Sequence, residues 1–140
     1  MTHYIDIRVR YPEVDAMGYL HHSRFLQYFE LGRVELLRSM GRSYADLEGA
    51  GVYFVVTRAE VKYRAPARYD DLVSLQTTIK RQTMVRIDHS YRLVRKEFTA
   101  VGQVETVLAE GETTIACVDR TGQVIPIPED LAQPKTGEIK

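Results

Sequence analysis

Residues 11–41 read YPEVDAMGYLHHSRFLQYFELGRVELLRSMG, and the fold turns on how this stretch is read. Its first residues close an alternating segment, residues 3–11, in which Ile5, Ile7, Val9 and Tyr11 share one face and Asp6, Arg8 and Arg10 the other, the pattern of a strand. Pro12 ends the strand because it has no N–H for a ladder. Asp15 to Gly18 reads as a turn, with Gly18 free to take a positive φ. A long helix begins near His22 to Arg24, with Ser23 as its expected N-cap. Phe25, Phe29, Gly32, Leu36 and Met40 fall on one stripe, flanked by Tyr28 and Leu37. Gly32 costs about 1 kcal/mol against alanine in mid-helix, which makes sense where another element packs too closely for a side chain. Glu30–Arg33 and Glu35–Arg38 are spaced to pair on the wetter face, and Gly41 suits the residue after the helix.

Outward from this stretch the chain reads as sheet. SYADLEGAG (43–51) is one short helical turn closed by glycines. Residues 53–63, 73–79, 85–93 and 101–118 follow as strands, separated by turns at 65–71 and 81–83, with Gly111 marking a bend or bulge in the last. The helix stripe and one face of the strands both need cover. One arrangement satisfies both: an α+β fold in which a curved antiparallel sheet of about five strands wraps one long central helix. Tyr53, Phe54, Val94 and Phe98 suggest further burial on the second face, between subunits. DRTG at 119–122 is a turn, and the segment from Pro126 reads as a surface arm. We take residues 1–128 as the domain and 129–140 as a polar tail.

Composition narrows the function classes. The 140 residues fit one domain. Nineteen basic residues balance nineteen acidic ones, which argues against general nucleic-acid binding. The single cysteine, Cys117, lies in an apolar run and reads as core. Neither a signal peptide nor a membrane-length apolar stretch is apparent, so the expected place is the cytoplasm. P-loop, dinucleotide-binding and serine-elbow patterns are all missing.

The chemistry-bearing residues gather where strand becomes helix. Asp15 has two readings: a turn aspartate bonded to its own backbone, or a general base or nucleophile beside free helix N–H groups that hold an oxyanion. Glu13 reads as the partner of a neighbouring arginine. His21 and His22 are weak evidence for metal, because adjacent side chains usually diverge and no third ligand lies near; the backbone N–H of His22 at the helix start is the more useful group. His89 reads as a sheet residue that needs a partner if it faces inward. Lys62, Arg64 and Arg68 around the APA turn are either a solvated rim or phosphate contacts, for which arginine's rigid fork is suited.

The segment VRYPEVDAMGYLHHSRFLQYFELGRVELLRSMG (9–41), with VKYRAPARYDDLV (61–73) and AEGETTIACVD (109–119), resembles the hotdog-fold acyl-CoA thioesterases of the 4-hydroxybenzoyl-CoA thioesterase-like group. The resemblance covers roughly residues 4–125. It implies hydrolysis of an acyl-CoA to free acid and coenzyme A, with no metal and no cofactor beyond the coenzyme A of substrate and product. On the matching positions Asp15 becomes the catalytic carboxylate, Gly18 the turn glycine, and His22 the residue whose backbone N–H polarises the thioester carbonyl. Lys62, Arg64 and Arg68 become the candidate contacts for the coenzyme A phosphates. Met17 stands where relatives often carry a small residue, and His21 where an aromatic or apolar one is common. The implied assembly is a homodimer or a dimer of dimers, which also removes an exposed sheet edge. The competing readings are a thioesterase acting on acyl carrier protein, a hotdog dehydratase, and a non-catalytic acyl-CoA-binding protein.

Overall fold

The computed structural model describes residues 1–131. Strand β1 (Thr2–Arg8) leads through a 3-10 turn (Tyr11–Glu13) to helix α1 (His22–Ser39) and the short helix α2 (Tyr44–Gly49). Four strands follow: β2 (Tyr53–Tyr63), β3 (Leu72–Gln82), β4 (Arg86–Thr99) and β5 (Gly102–Val118), then a 3-10 turn at Glu129–Leu131. All five strands join one antiparallel sheet in the order β1-β3-β4-β5-β2.

The sheet packs around α1. Phe25, Tyr28, Phe29, Gly32, Leu36 and Leu37 are buried on the helix. Phe25, Tyr28 and Phe29 meet Val73 and Leu75 of β3, Tyr91 and Leu93 of β4, and Leu108 and Ala109 of β5. Two glycines permit this closeness. A Cβ on Gly32 would run into Thr77 Oγ1 and lie 2.8 Å from Leu75 Cδ2, which explains a glycine in mid-helix. A Cβ on Gly111 would run into the Phe29 ring and lie 2.8 Å from the Glu60 backbone oxygen. Gly111 is therefore a seat for Phe29, which stacks on Tyr91 with ring centres 4.3 Å apart, and not the expected bend. The irregularity in the β4–β5 ladder lies between Leu93 and Val94. It leaves the Leu108 carbonyl to accept from the N–H groups of Arg64 and Ala65.

Several local expectations are corrected. β1 stops at Arg8, and Tyr11 is 75% exposed instead of sharing the inner face with Val9, because it opens a 3-10 turn, Tyr11–Glu13, that turns it outward. β3 runs on to Gln82, so the reversal lies at 83–85, where Thr83 N–H donates to the Arg86 carbonyl. Arg33 ignores Glu30 and turns inward to Tyr91, whereas Glu35 and Arg38 pair at 3.4 Å as spaced. Gly41 follows the helix with φ +87. The chain past Pro126 is packed where it is described: Ile127 and Leu131 join the apolar cluster of Leu37, Leu47, Ile115 and Cys117. The rest of the tail assigned to 129–140 lies outside the described residues. Phe98, near the tip of the β4–β5 hairpin, is 87% exposed in the single chain.

Candidate active site

The strand-to-helix junction is tied together by short backbone contacts. Val14 and Leu20 form an isolated antiparallel bridge, and His21 N–H donates to the Glu13 carbonyl at 2.9 Å. Residues 15–19 are thereby a tight turn held beside the start of α1. Gly18 closes it with φ +77, and its N–H donates to the Asp15 carbonyl at 2.9 Å. Asp15 organises the turn from inside. Its Oδ1 accepts from Met17 N–H at 2.8 Å and Tyr19 N–H at 3.1 Å, while its own N–H donates to the Tyr19 carbonyl at 2.8 Å. The turn-aspartate reading thus describes Oδ1, and among the described residues Oδ2 has no hydrogen-bond partner. Asp15 and Ala16 are exposed, and Met17 is 72% exposed, so this part of the junction lies on an open surface of the single chain.

The helix start differs from expectation in one respect. His21, not Ser23, is the N-cap: it keeps an extended backbone, and its Nδ1 accepts from Ser23 N–H at 3.2 Å while lying 2.8 Å from Ser23 Oγ. Ser23 is already one residue inside the helix. The His21 and His22 rings do not diverge; their centres lie 4.2 Å apart. No group of three or more His, Cys, Asp or Glu residues able to hold a metal occurs among the described residues. The His22 N–H has no acceptor among the described residues, as the first N–H groups of a helix lack intrahelical partners.

Below the turn, Glu13 is a buried anchor, 5% exposed. Its Oε1 accepts from the Arg10 N–H at 2.8 Å and from the Tyr28 hydroxyl at 3.0 Å, and the Arg10 guanidinium lies 3.5 Å from Oε2. Burial alone would raise this carboxyl, but these donors outweigh it and hold the group below its ordinary value. The same contact, with burial, pushes the Tyr28 phenol far up. Glu13 is thus a structural partner of arginine, as read from the sequence, and it also ties the junction to α1.

The three candidate phosphate contacts are not brought together. Arg68 reaches the junction: it bridges to Tyr19, its guanidinium sits 5.2 Å from the Tyr19 ring centre, and Leu20 N–H donates to the neighbouring Ala67 carbonyl. Lys62 stands opposite Glu110 on β5, and Arg64 pairs with Glu110 at 3.4 Å. The residue between them, Tyr63, faces the helix instead. Its hydroxyl donates to the His22 carbonyl at 3.0 Å and its ring meets Phe25 edge-on. Tyr63 and Tyr19 are contributors that sequence reasoning missed. Nothing local linked Tyr63 to a helix start forty residues earlier. Cys117 is buried, and burial pushes its thiol up, away from nucleophilic use.

One long helix wrapped by a five-stranded antiparallel sheet, with a tight turn at the helix entrance, is the hotdog fold of thioesterases. The chain superposes on 4-hydroxybenzoyl-CoA thioesterase with a TM-score of 0.81 over 92% of this chain and 94% of that one, a likeness of fold at 13% identity. DHNA-CoA thioesterase from Staphylococcus aureus is similar at 26% identity, with a TM-score of 0.80 over 89% of this chain and 80% of that one. In sequence, the acyl-CoA thioester hydrolase YbgC of Escherichia coli O6:H1 (strain CFT073) is 34% identical over 113 residues, 81% of this chain and 79% of its own length. The sequence model of the thioesterase-like superfamily matches residues 9–134. The chain belongs to that superfamily. No helix among the described residues is long and apolar enough to cross a membrane, which says nothing of strand-built membrane proteins.

Proposed function

We propose that this protein hydrolyses acyl-CoA thioesters at the α1 entrance, with Asp15 as base or nucleophile and the His22 N–H as oxyanion donor. The observation that carries the reading is the pairing of an exposed carboxylate, one oxygen pinned and the other unpartnered, with an unused N–H at a helix start in a thioesterase-family chain. Asp15 Oδ2 removes a proton from water as its oxygen attacks the thioester carbonyl, or attacks that carbon itself to give an anhydride that water then opens. In both routes negative charge develops on the carbonyl oxygen, where the His22 N–H and the helix dipole favour it. Collapse breaks the C–S bond, and the coenzyme A thiolate leaves and takes up a proton. No step calls for a metal or a bound cofactor; coenzyme A enters as part of the substrate.

Arg68 is the best placed of the three basic candidates for a coenzyme A phosphate, since it borders the junction through Tyr19. The open surface at Asp15 to Met17 supports a site completed by a second copy of the chain. A thiol-trapping assay over short, long, branched and aromatic acyl-CoAs tests the activity. Release of free thiol from at least one class is expected. Tight binding of acyl-CoA without thiol release would replace the enzyme reading with a binding protein.

A further inference from the structure

The first turn of α1 is joined to the sheet by the side chain of Tyr63. This residue closes β2 opposite Ala109 of β5. The next two N–H groups, of Arg64 and Ala65, both donate to the Leu108 carbonyl, at 2.8 and 3.2 Å, so β5 fixes the backbone on both sides of Tyr63. The Tyr63 ring meets the buried Phe25 edge-on, with ring centres 5.0 Å apart. Phe25 follows His22 by three residues, which puts the two on one side of the first turn. From this seat the Tyr63 hydroxyl donates to the His22 carbonyl at 3.0 Å. Among the described residues it is the one side-chain hydrogen bond that a strand makes to residues 22–25.

Neither partner needs this bond to be satisfied. A helix carbonyl accepts from the N–H four residues on, and a carbonyl has a second lone pair for the phenol. Tyr63 is 51% exposed, so water is available to its side chain. What the bond adds is position. The other hydrogen bonds at the helix start are local. His21 N–H donates to the Glu13 carbonyl, the His21 carbonyl accepts from Arg24 N–H at 2.9 Å, and His21 Nδ1 accepts from Ser23 N–H. These shape the turn, and the phenol joins residue 22 itself to a strand. The peptide before residue 22 is thus held through the His21 carbonyl, and the peptide after it through the His22 carbonyl. The His22 N–H lies between these two fixed points.

We infer that Tyr63 is a positioning residue for the proposed hydrolysis, a role that rests on the thioesterase reading. Its hydroxyl fixes residue 22, so that the His22 N–H stays aimed at the thioester carbonyl oxygen as negative charge grows there. A donor stabilises an oxyanion because it is aimed in advance, and a small misplacement costs rate more than binding.

Tyr63→Phe removes one oxygen and keeps the ring against Phe25, so the variant is expected to fold. With an acyl-CoA that the wild type cleaves, its kcat should fall by about 10- to 100-fold while KM stays nearly the same. An unchanged kcat overturns the role. So does a loss of kcat matched by a general loss of stability, which would make Tyr63 structural only. A second measurement needs no activity: ¹⁵N relaxation of the backbone amides in the full chain. In Tyr63→Phe the order parameters of the His22 and Ser23 amides should drop while those around Gly32 in mid-helix hold. Values at His22 identical to wild type overturn the positioning. A wild type that releases no thiol from any acyl-CoA overturns the thioesterase reading and with it the part of Tyr63 in the reaction, and the relaxation data still decide whether Tyr63 holds residue 22.

Discussion

In the proposed reaction Asp15 has two jobs that one substitution can separate. Its Oδ1 accepts two turn N–H groups, and an asparagine carbonyl oxygen can accept the same two. Asp15→Asn therefore keeps the turn and removes the charge, while Asp15→Ala removes both. Loss of a positioned base lowers rate by about 10²–10⁴-fold. Asp15→Asn should lose thiol release by at least that range with an unchanged unfolding temperature, and Asp15→Ala should lose both activity and some stability; an active Asp15→Asn would remove Asp15 from the mechanism. Arg68→Ala should raise KM for acyl-CoA more than for a truncated acyl-pantetheine, since only the former carries the phosphates. Equal effects would point to a structural role through Tyr19.

Two buried groups set the acid side of the stability curve in different windows. His89 is pushed down to about 3 by burial, with a further contribution from Arg33. Its folded value lies below the unfolded one, so nothing is lost above the ordinary histidine value near 6.5. Below it the unfolded chain takes up a proton that the folded chain refuses, and stability falls with each unit of pH. His89→Leu should flatten the wild-type decline between about pH 6.5 and 5, measured by urea unfolding. Glu13 is also lowered on folding, so it stabilises above the ordinary carboxylate range and loses that contribution as pH falls through its folded value. Glu13→Gln should cost about 1–3 kcal/mol at neutral pH, and the gap from wild type should shrink in acid below about pH 4.

At the scale of elements, the close approach of α1 to the sheet is set by glycines on both sides. Gly32→Ala gains about 1 kcal/mol of helix propensity, yet its Cβ would collide with Thr77 Oγ1 and press Leu75. Overpacking of that kind costs about 1–3 kcal/mol, so the variant should be less stable than wild type by urea unfolding. Thr77→Ala in the same chain should recover part of the loss, because it removes the obstructing hydroxyl, which is itself buried without a partner. Gly111→Ala has less relief available, since one obstruction is the Glu60 backbone oxygen. The sequence pointed to Gly32 because a glycine inside a periodic helical stripe asks for a packing reason. It misread Gly111 because a glycine in a strand has several meanings, and only the position of Phe29 on another element chooses among them.

Among the described residues, β2 is an edge strand of eleven residues, with Val55 and Val56 44% and 52% exposed. Such an edge invites pairing with another strand, and in the homodimer we propose a second copy joined there would make the sheet continuous. Lysines at both Val55 and Val56 should shift the protein toward monomer in light scattering and lower activity with it; a fully active monomer would place the whole site in one chain. The alternation of the strands and the apolar stripe of residues 25–40 were enough to determine a helix wrapped by a sheet, because burying both faces leaves few arrangements. The turn at Asp15 to Gly18 was legible for the same reason of locality: its hydrogen bonds run between residues no more than four apart. Tertiary structure alone decided that Arg68 meets Tyr19 in the turn and Tyr63 meets the helix start, that Lys62 and Arg64 lie against Glu110, and that Arg33 turns inward to Tyr91. Those outcomes depend on strand register and on which element reaches a given side chain first, and local sequence carries no record of either.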